Sequence, residues 1–151
     1  MNKFQIRTID FQSDDAPHKL QKSLRNTGFA VIHNHGIDKK LIKDVYNEWS
    51  SFFNSDKKNN YLFDIEKQDG YFPIKSENAK GYTTKDLKEF YHIYLPWGRI
   101  PDEISEKTLK IRHVLLDIGT TLLTWLDDNT PTKIRKNFSM PLKDMIKGSQ
   151  N

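Results

Sequence analysis

Apolar residues recur along this chain in two rhythms. In "DKKLIKDVYNEWSSFF", Leu41, Ile42, Val45, Tyr46, Trp49, Phe52 and Phe53 fall at three- and four-residue steps, the period of one broad helical face, and Asp38 stands ahead of them as a capping residue. The same period runs through "PDEISEKTLKIRHVLLDIGTTLLTWLDDNTP" at Ile104, Thr108, Ile111, Leu115, Ile118, Leu122 and Trp125 or Leu126. It predicts one long helix over 102–128, from Asp102 to about Asp128. Gly119 inside it costs only about 1 kcal/mol. A further helix is expected in "SDDAPHKLQKSLRNTG", where Ser13, Asp14 and Asp15 offer caps, Pro17 suits the first turn and Gly28 the stop. Two short helices fill 130–148, started by Thr130 before Pro131 and by Ser139 with Pro141, the second stopping at Gly148.

The second rhythm is that of strands. "FQIRTIDF" sets Phe4, Ile6 and Thr8 against Gln5, Arg7 and Ile9, and "FAVIHN" is a continuous β-prone run. With the helix between them they predict a β-α-β opening. After "NSDKKNN", where Ser55 is another candidate cap, the pattern from Tyr61 to Arg99 turns irregular and aromatic. Gly70, Pro73, Gly81, Pro96 and Gly98 break it into loops and short strands. No repeat and no Gly- or Ser-rich linker interrupts the chain, so one compact α+β unit over 1–151 is expected.

Charge changes this picture little. The net +4 resides in the last twenty residues, where Lys133, Arg135, Lys136, Lys143 and Lys147 face only Asp144, and residues 1–131 balance. A basic tail on a neutral body reads as a solvated face rather than a nucleic-acid patch. The absence of cysteine excludes disulfides, thiol nucleophiles and thiolate metal sites. No apolar run approaches the roughly 18 residues of a membrane span, so a cytoplasmic protein without membrane contact is expected. An apolar fraction of 36% is lean for a self-sufficient core, although nine Phe, six Tyr and three Trp supply bulk.

Candidate chemistry is sparse. In "GFAVIHNHGID", His33 and His35 share a face of an extended segment, but no carboxylate stands beside them to complete an iron-binding facial triad. Asp38 is better used as a helix cap, and Asn34, His35 and Gly36 read as a structural turn between strand and helix. Glu89 and His92 in "EFYH" match the Glu-x-x-His element of di-iron bundles, but only one copy exists and its setting alternates like a strand. There is no nucleophile elbow and no phosphate-cradling loop.

In order, "IRTIDF", "GFAVIHNHGID", "FFNSDKKN", "DGYFP" and "KEFYHIY", over about residues 5–100, resemble the N-terminal region of isopenicillin N synthase-like non-haem iron dioxygenases, most of which use 2-oxoglutarate. The resemblance implies a mixed α+β layer packed against a double-stranded β-helix, or jelly roll, that binds Fe(II) and 2-oxoglutarate. That family's His-x-Asp, distal His and Arg-x-Ser lie downstream of the matched region, and none of the five histidines here has Asp two places on. The chain is therefore expected to be the N-terminal scaffold and substrate-pocket part of such an oxygenase, cut short before the barrel, inactive alone, with no metal or catalytic residue of its own. Its expected partners are the missing C-terminal barrel, or a separate barrel-bearing chain, and a small organic substrate. Tyr71, Tyr82, Glu89 and Tyr91, on irregular segments that tend to carry binding groups, are the pocket candidates. The rival readings are a free-standing binding module that pairs with another chain and a small nucleic-acid binder.

Overall fold

A computed structural model describes residues 5–146. Contacts group the residues into two compact units: those up to Asp38 together with those from Leu109 onward, and Lys39–Thr108.

In the first unit, β1 (Thr8–Asp10) and β2 (Val31–His33) pair in parallel, with Ile9 opposite Ile32, and α1 (Ala16–Thr27) connects them. The β-α-β opening forms as its pattern predicts. Pro17 occupies the first turn of α1, while Gly28 ends it at φ 75°, a left-handed conformation that lets its N–H reach the Leu24 carbonyl. Ile9, Ala16 and Leu20 are buried together. Leu24, Ala30 and Ile32 pack on them, as do Leu122, Trp125 and Leu126 of α3 (Lys107–Asn129). Thr120, Thr121 and Thr124 donate their hydroxyls to carbonyls four residues back, so α3 carries polar side chains without orphaned donors. A Cβ on Gly119 would come within 3.0 Å of Ile146 Cδ1, which gives that helical glycine a packing reason. Two short helices follow, α4 (Thr132–Arg135) and α5 (Leu142–Met145). No helix among the described residues is long and apolar enough to cross a membrane.

The second unit is built on aromatic rings. Phe52 of α2 (Lys39–Phe53) is buried with ring centroids of Trp49, Phe53, Tyr61, Tyr71 and Tyr91 at 5.6, 5.5, 6.0, 6.5 and 5.7 Å. Tyr61 ends a 3-10 helix over Asp56–Tyr61. Tyr71 and Tyr91 are direct partners across the antiparallel pair β3 (Gly70–Phe72) and β4 (Phe90–His92). Strand alternation sends Phe72 and Phe90 the other way, where their rings stack at 4.4 Å beside Phe63 and His92. Because β4 is extended, Glu89 and His92 do not share a helical face, so a Glu-x-x-His metal element has no geometric basis here.

Several expectations need correction. The long helix starts at Lys107, not Asp102. Ser105 sets that start, accepting the Lys107 N–H on its hydroxyl while donating to Glu48, and Lys107 itself pairs with Asp44 and Glu48 at 3.2 Å. The first strand is shorter than its pattern: β1 covers only Thr8–Asp10, with Ile9 buried in it, while Ile6 lies ahead of it and is exposed. Tyr46 is 74% exposed, because it lies about 140° around α2 from Leu41, at the edge of the apolar stripe. Ser55 and Thr130 do not cap: their hydroxyls donate back to Phe52 and Leu126 carbonyls, and α5 has Pro141 at its cap position with no side-chain bond. Phe4 and Gly148 lie outside the described residues.

Candidate functional site

The second unit brings charged and phenolic groups from distant parts of the chain onto one hairpin. Glu89, just before β4, accepts the Tyr71 hydroxyl at 2.5 Å and the Lys58 ammonium at 2.9 Å on the same oxygen, Oε2. The Lys58 ammonium also donates to the Phe53 carbonyl at 2.6 Å and lies 5.3 Å from the Tyr71 ring centroid. The Tyr71 hydroxyl and the Lys58 charge together hold the Glu89 carboxyl below its ordinary range. Burial, and then the bond to Glu89, push the Tyr71 phenol up, and Glu89 raises Lys58. This trio is therefore an ionised carboxylate held by two committed donors, an arrangement that fixes Tyr71 rather than one poised to transfer a proton.

Tyr71 is buried, its ring against Phe52 and Phe53, and Tyr91 stands opposite it in the same aromatic core. Its hydroxyl donates to the Arg99 carbonyl at 3.0 Å, and burial pushes it up to about 12. Tyr82 lies in the 78–85 turn, where its backbone bonds to Ala79 and Asn78, and its side chain is largely exposed. The structure thus joins Tyr71 with Glu89, sets Tyr91 behind them, and shows no bond from Tyr82 to the other three.

Beneath the hairpin a second pair fixes its edges. Asp69 is fully buried and receives Arg99 Nε and Nη2 on Oδ1 at 3.0 and 2.8 Å, together with the Arg99 backbone N–H on Oδ2. Arg99 Nη2 also reaches the Leu62 carbonyl at 2.9 Å. Gly70, at φ 115°, is required between them: a Cβ there would lie 2.7 Å from the Tyr61 carbonyl oxygen and 2.8 Å from Arg99 Nη2. The segments so tied line an open cleft of about 330 Å³, formed by Leu62 and Phe63, by β3 from Tyr71 through Pro73, and by Ser76 and Glu77. Neither Lys58 nor the Asp69–Arg99 pair is legible as a site in the sequence, because their partners lie some thirty residues away and no local period links them.

The histidine pair belongs to the first unit. Asn34 adopts φ 54° and donates to Asp10 at 2.9 Å, His35 accepts the Ile37 N–H on Nδ1, and Gly36 sits at φ 75°. These contacts make a tight turn between β2 and α2 and commit one nitrogen of His35. Among the described residues, no three of His, Asp and Glu converge as metal ligands, so the donor set does not fit an iron centre.

Residues 6–114 match the family described as non-haem dioxygenase in morphine synthesis, N-terminal. Jasmonate-induced oxygenase 1 of Arabidopsis thaliana is 26% identical over an alignment of 140 positions that covers 82% of this chain and 34% of that protein. A crystal structure described as an oxygenase from Shewanella oneidensis is similar with a TM-score of 0.81 and 40% identity, over 93% of this chain and 49% of that one. A 2OG-Fe(II) oxygenase family protein from Caulobacter crescentus shares the fold, with a TM-score of 0.67 and 23% identity over 82% of this chain and 48% of its own. The chain thus spans a third to a half of the length of these relatives. Its match over residues 6–114, most of its own length, places it in the non-haem dioxygenase N-terminal family.

Proposed function

We propose that this chain is the N-terminal scaffold of a 2-oxoglutarate- and Fe(II)-dependent oxygenase and contributes one wall of the pocket for a small organic substrate. The carrying observation is the extent of the match: nearly all of this chain aligns with about half of an oxygenase structure at 40% identity. In such an enzyme, iron and 2-oxoglutarate supply the oxidising power from a barrel that this chain does not span. The described residues offer no ligand set for the metal, so their own contribution is shape. Tyr71, buried against Phe52 and Phe53 and held by Glu89 and Lys58, stiffens the wall from within together with Tyr91; the cleft beside it offers the open apolar surface, and Tyr82 stands on the outer turn.

The partner is a barrel, on the same polypeptide or on another. Co-expression with the part of the Shewanella protein that this chain does not cover is expected to give a complex that survives purification, and failure to associate counts against the reading. Incubated by itself with Fe(II), ascorbate and 2-oxoglutarate, the 151-residue chain is expected to form no succinate above the protein-free control. Succinate formation that is abolished by His33→Ala or His35→Ala would refute the proposal.

A further inference from the structure

We infer that the cleft beside β3 is a binding site for small apolar molecules that carry a protonated amine, with Glu77 as the counter-charge. This rests on the pocket-wall reading and assigns a ligand class to it. The volume, about 330 Å³, sits at the small end of the range usual for ligand sites. Leu62, Phe63, Phe72 and Pro73 form an apolar lining, and Leu62 remains 50% exposed within it, so an occupant would cover apolar surface that the protein itself leaves open. Phe63 and Phe72 lie 4.4 Å apart, with Phe90 stacked behind Phe72, a backing that keeps the lining rigid.

The sign of the ligand's charge follows from the cleft's own lining, which includes Glu77 but not the neighbouring Lys75, and from how Lys88, Lys85 and Lys58 are bonded. Among the described residues, Glu77 is the one charged side chain lining the cleft. Lys88 pairs with Asp86 at 3.1 Å and stands 3.9 Å from Glu77, at the limit of an ion pair. Lys85 donates to Asn78 Oδ1 at 3.0 Å and approaches the Ser76 carbonyl at 3.5 Å, and Lys58 is bound to Glu89. The cleft therefore presents an under-compensated carboxylate at the end of an apolar lining, and the Ser76 side chain beside it can accept a second hydrogen bond. An ammonium group complements that arrangement, whereas a carboxylate meets like charge.

The test uses tyramine and 4-hydroxyphenylacetate, which share a ring and differ in the sign of the charge, titrated into the full 151-residue chain and followed by amide chemical shifts. Tyramine is expected to shift the amides of Leu62, Phe63, Phe72 and Glu77 and to bind about fivefold or more tightly than the acid, the discrimination of a half-exposed ion pair. Glu77→Gln is expected to erase that preference. Lys88→Ala, which removes the competing cation, is expected to strengthen tyramine binding. Equal affinity for the two probes, shifts confined to other residues, or a preference that survives Glu77→Gln would overturn the inference. Because the readout is binding to this chain alone, its failure is separate from failure to pair with a barrel.

Discussion

Removing the Arg99 side chain tests how the hairpin is held. Arg99→Met retains length and apolar stem but strands the Asp69 carboxylate, fully buried, with only a backbone N–H as partner. Truncating one member of a buried pair costs about 3–5 kcal/mol. The Arg99 side chain is 29% exposed, and water screens part of its charge, so the lower end, about 3 kcal/mol, is expected. For a domain of this size that corresponds to a fall in melting temperature of roughly 6–12 °C. The pH dependence carries the sharper test. Desolvation pushes the Asp69 carboxyl up, but the hydrogen bonds and charge of Arg99 outweigh it, and the net shift is downward. A depressed folded-state value means stability that is present above the unfolded value of about 3.9 and lost as pH falls through the folded one. In Arg99→Met the guanidinium's hydrogen bonds and charge are lost, and desolvation outweighs the one backbone N–H that remains, so the sign reverses and the variant gains from protonation. Urea unfolding from about pH 7 to about pH 4 should therefore show the gap between wild type and variant narrowing with acid. A gap that stays constant, or a variant as stable as wild type at neutral pH, would refute the assignment of Arg99 as the partner that keeps Asp69 ionised.

Gly70→Ala forces a Cβ to within 2.7–2.8 Å of two carbonyl oxygens and the Arg99 guanidinium at φ 115°, and is expected to lower stability by about 2 kcal/mol or more in a thermal melt. Phe52→Ala removes the ring on which the aromatic unit is centred and should cost about 3–5 kcal/mol by chemical denaturation. Burial raises the Tyr91 phenol to about 12, so its stabilisation is complete below the unfolded value of about 10 and is lost as pH rises through the folded one. An ultraviolet phenolate titration should accordingly show a late-ionising component to which both Tyr71 and Tyr91 contribute and which loses one tyrosine in Tyr91→Phe.

How far the sequence reaches depends on how far apart the interacting residues are. Helix α1 is legible because Pro17, Leu20, Leu24 and Gly28 act within one helical stretch, and α2 because its apolar stripe repeats over fifteen residues. Misreadings fall where another partner competes with a local signal. Ser105 is drawn to Glu48, which delays the start of α3, and Ser55 and Thr130 bond back to earlier carbonyls instead of capping. Of the four proposed pocket residues, Tyr71 and Glu89 meet through a single hydrogen bond that spans 18 positions and has no local signature.

By itself the sequence determined the order of elements, the structural turn at Asn34–Gly36 and the family, because each is written in short-range spacing or in an ordered set of motifs. Only the tertiary structure decided that Lys58 fixes Glu89, that Arg99 neutralises Asp69, and that Leu62, Phe72 and Glu77 line one cleft. Those associations depend on charge and shape meeting across loops of ten to forty residues, where no periodicity of the chain records which residues will come together.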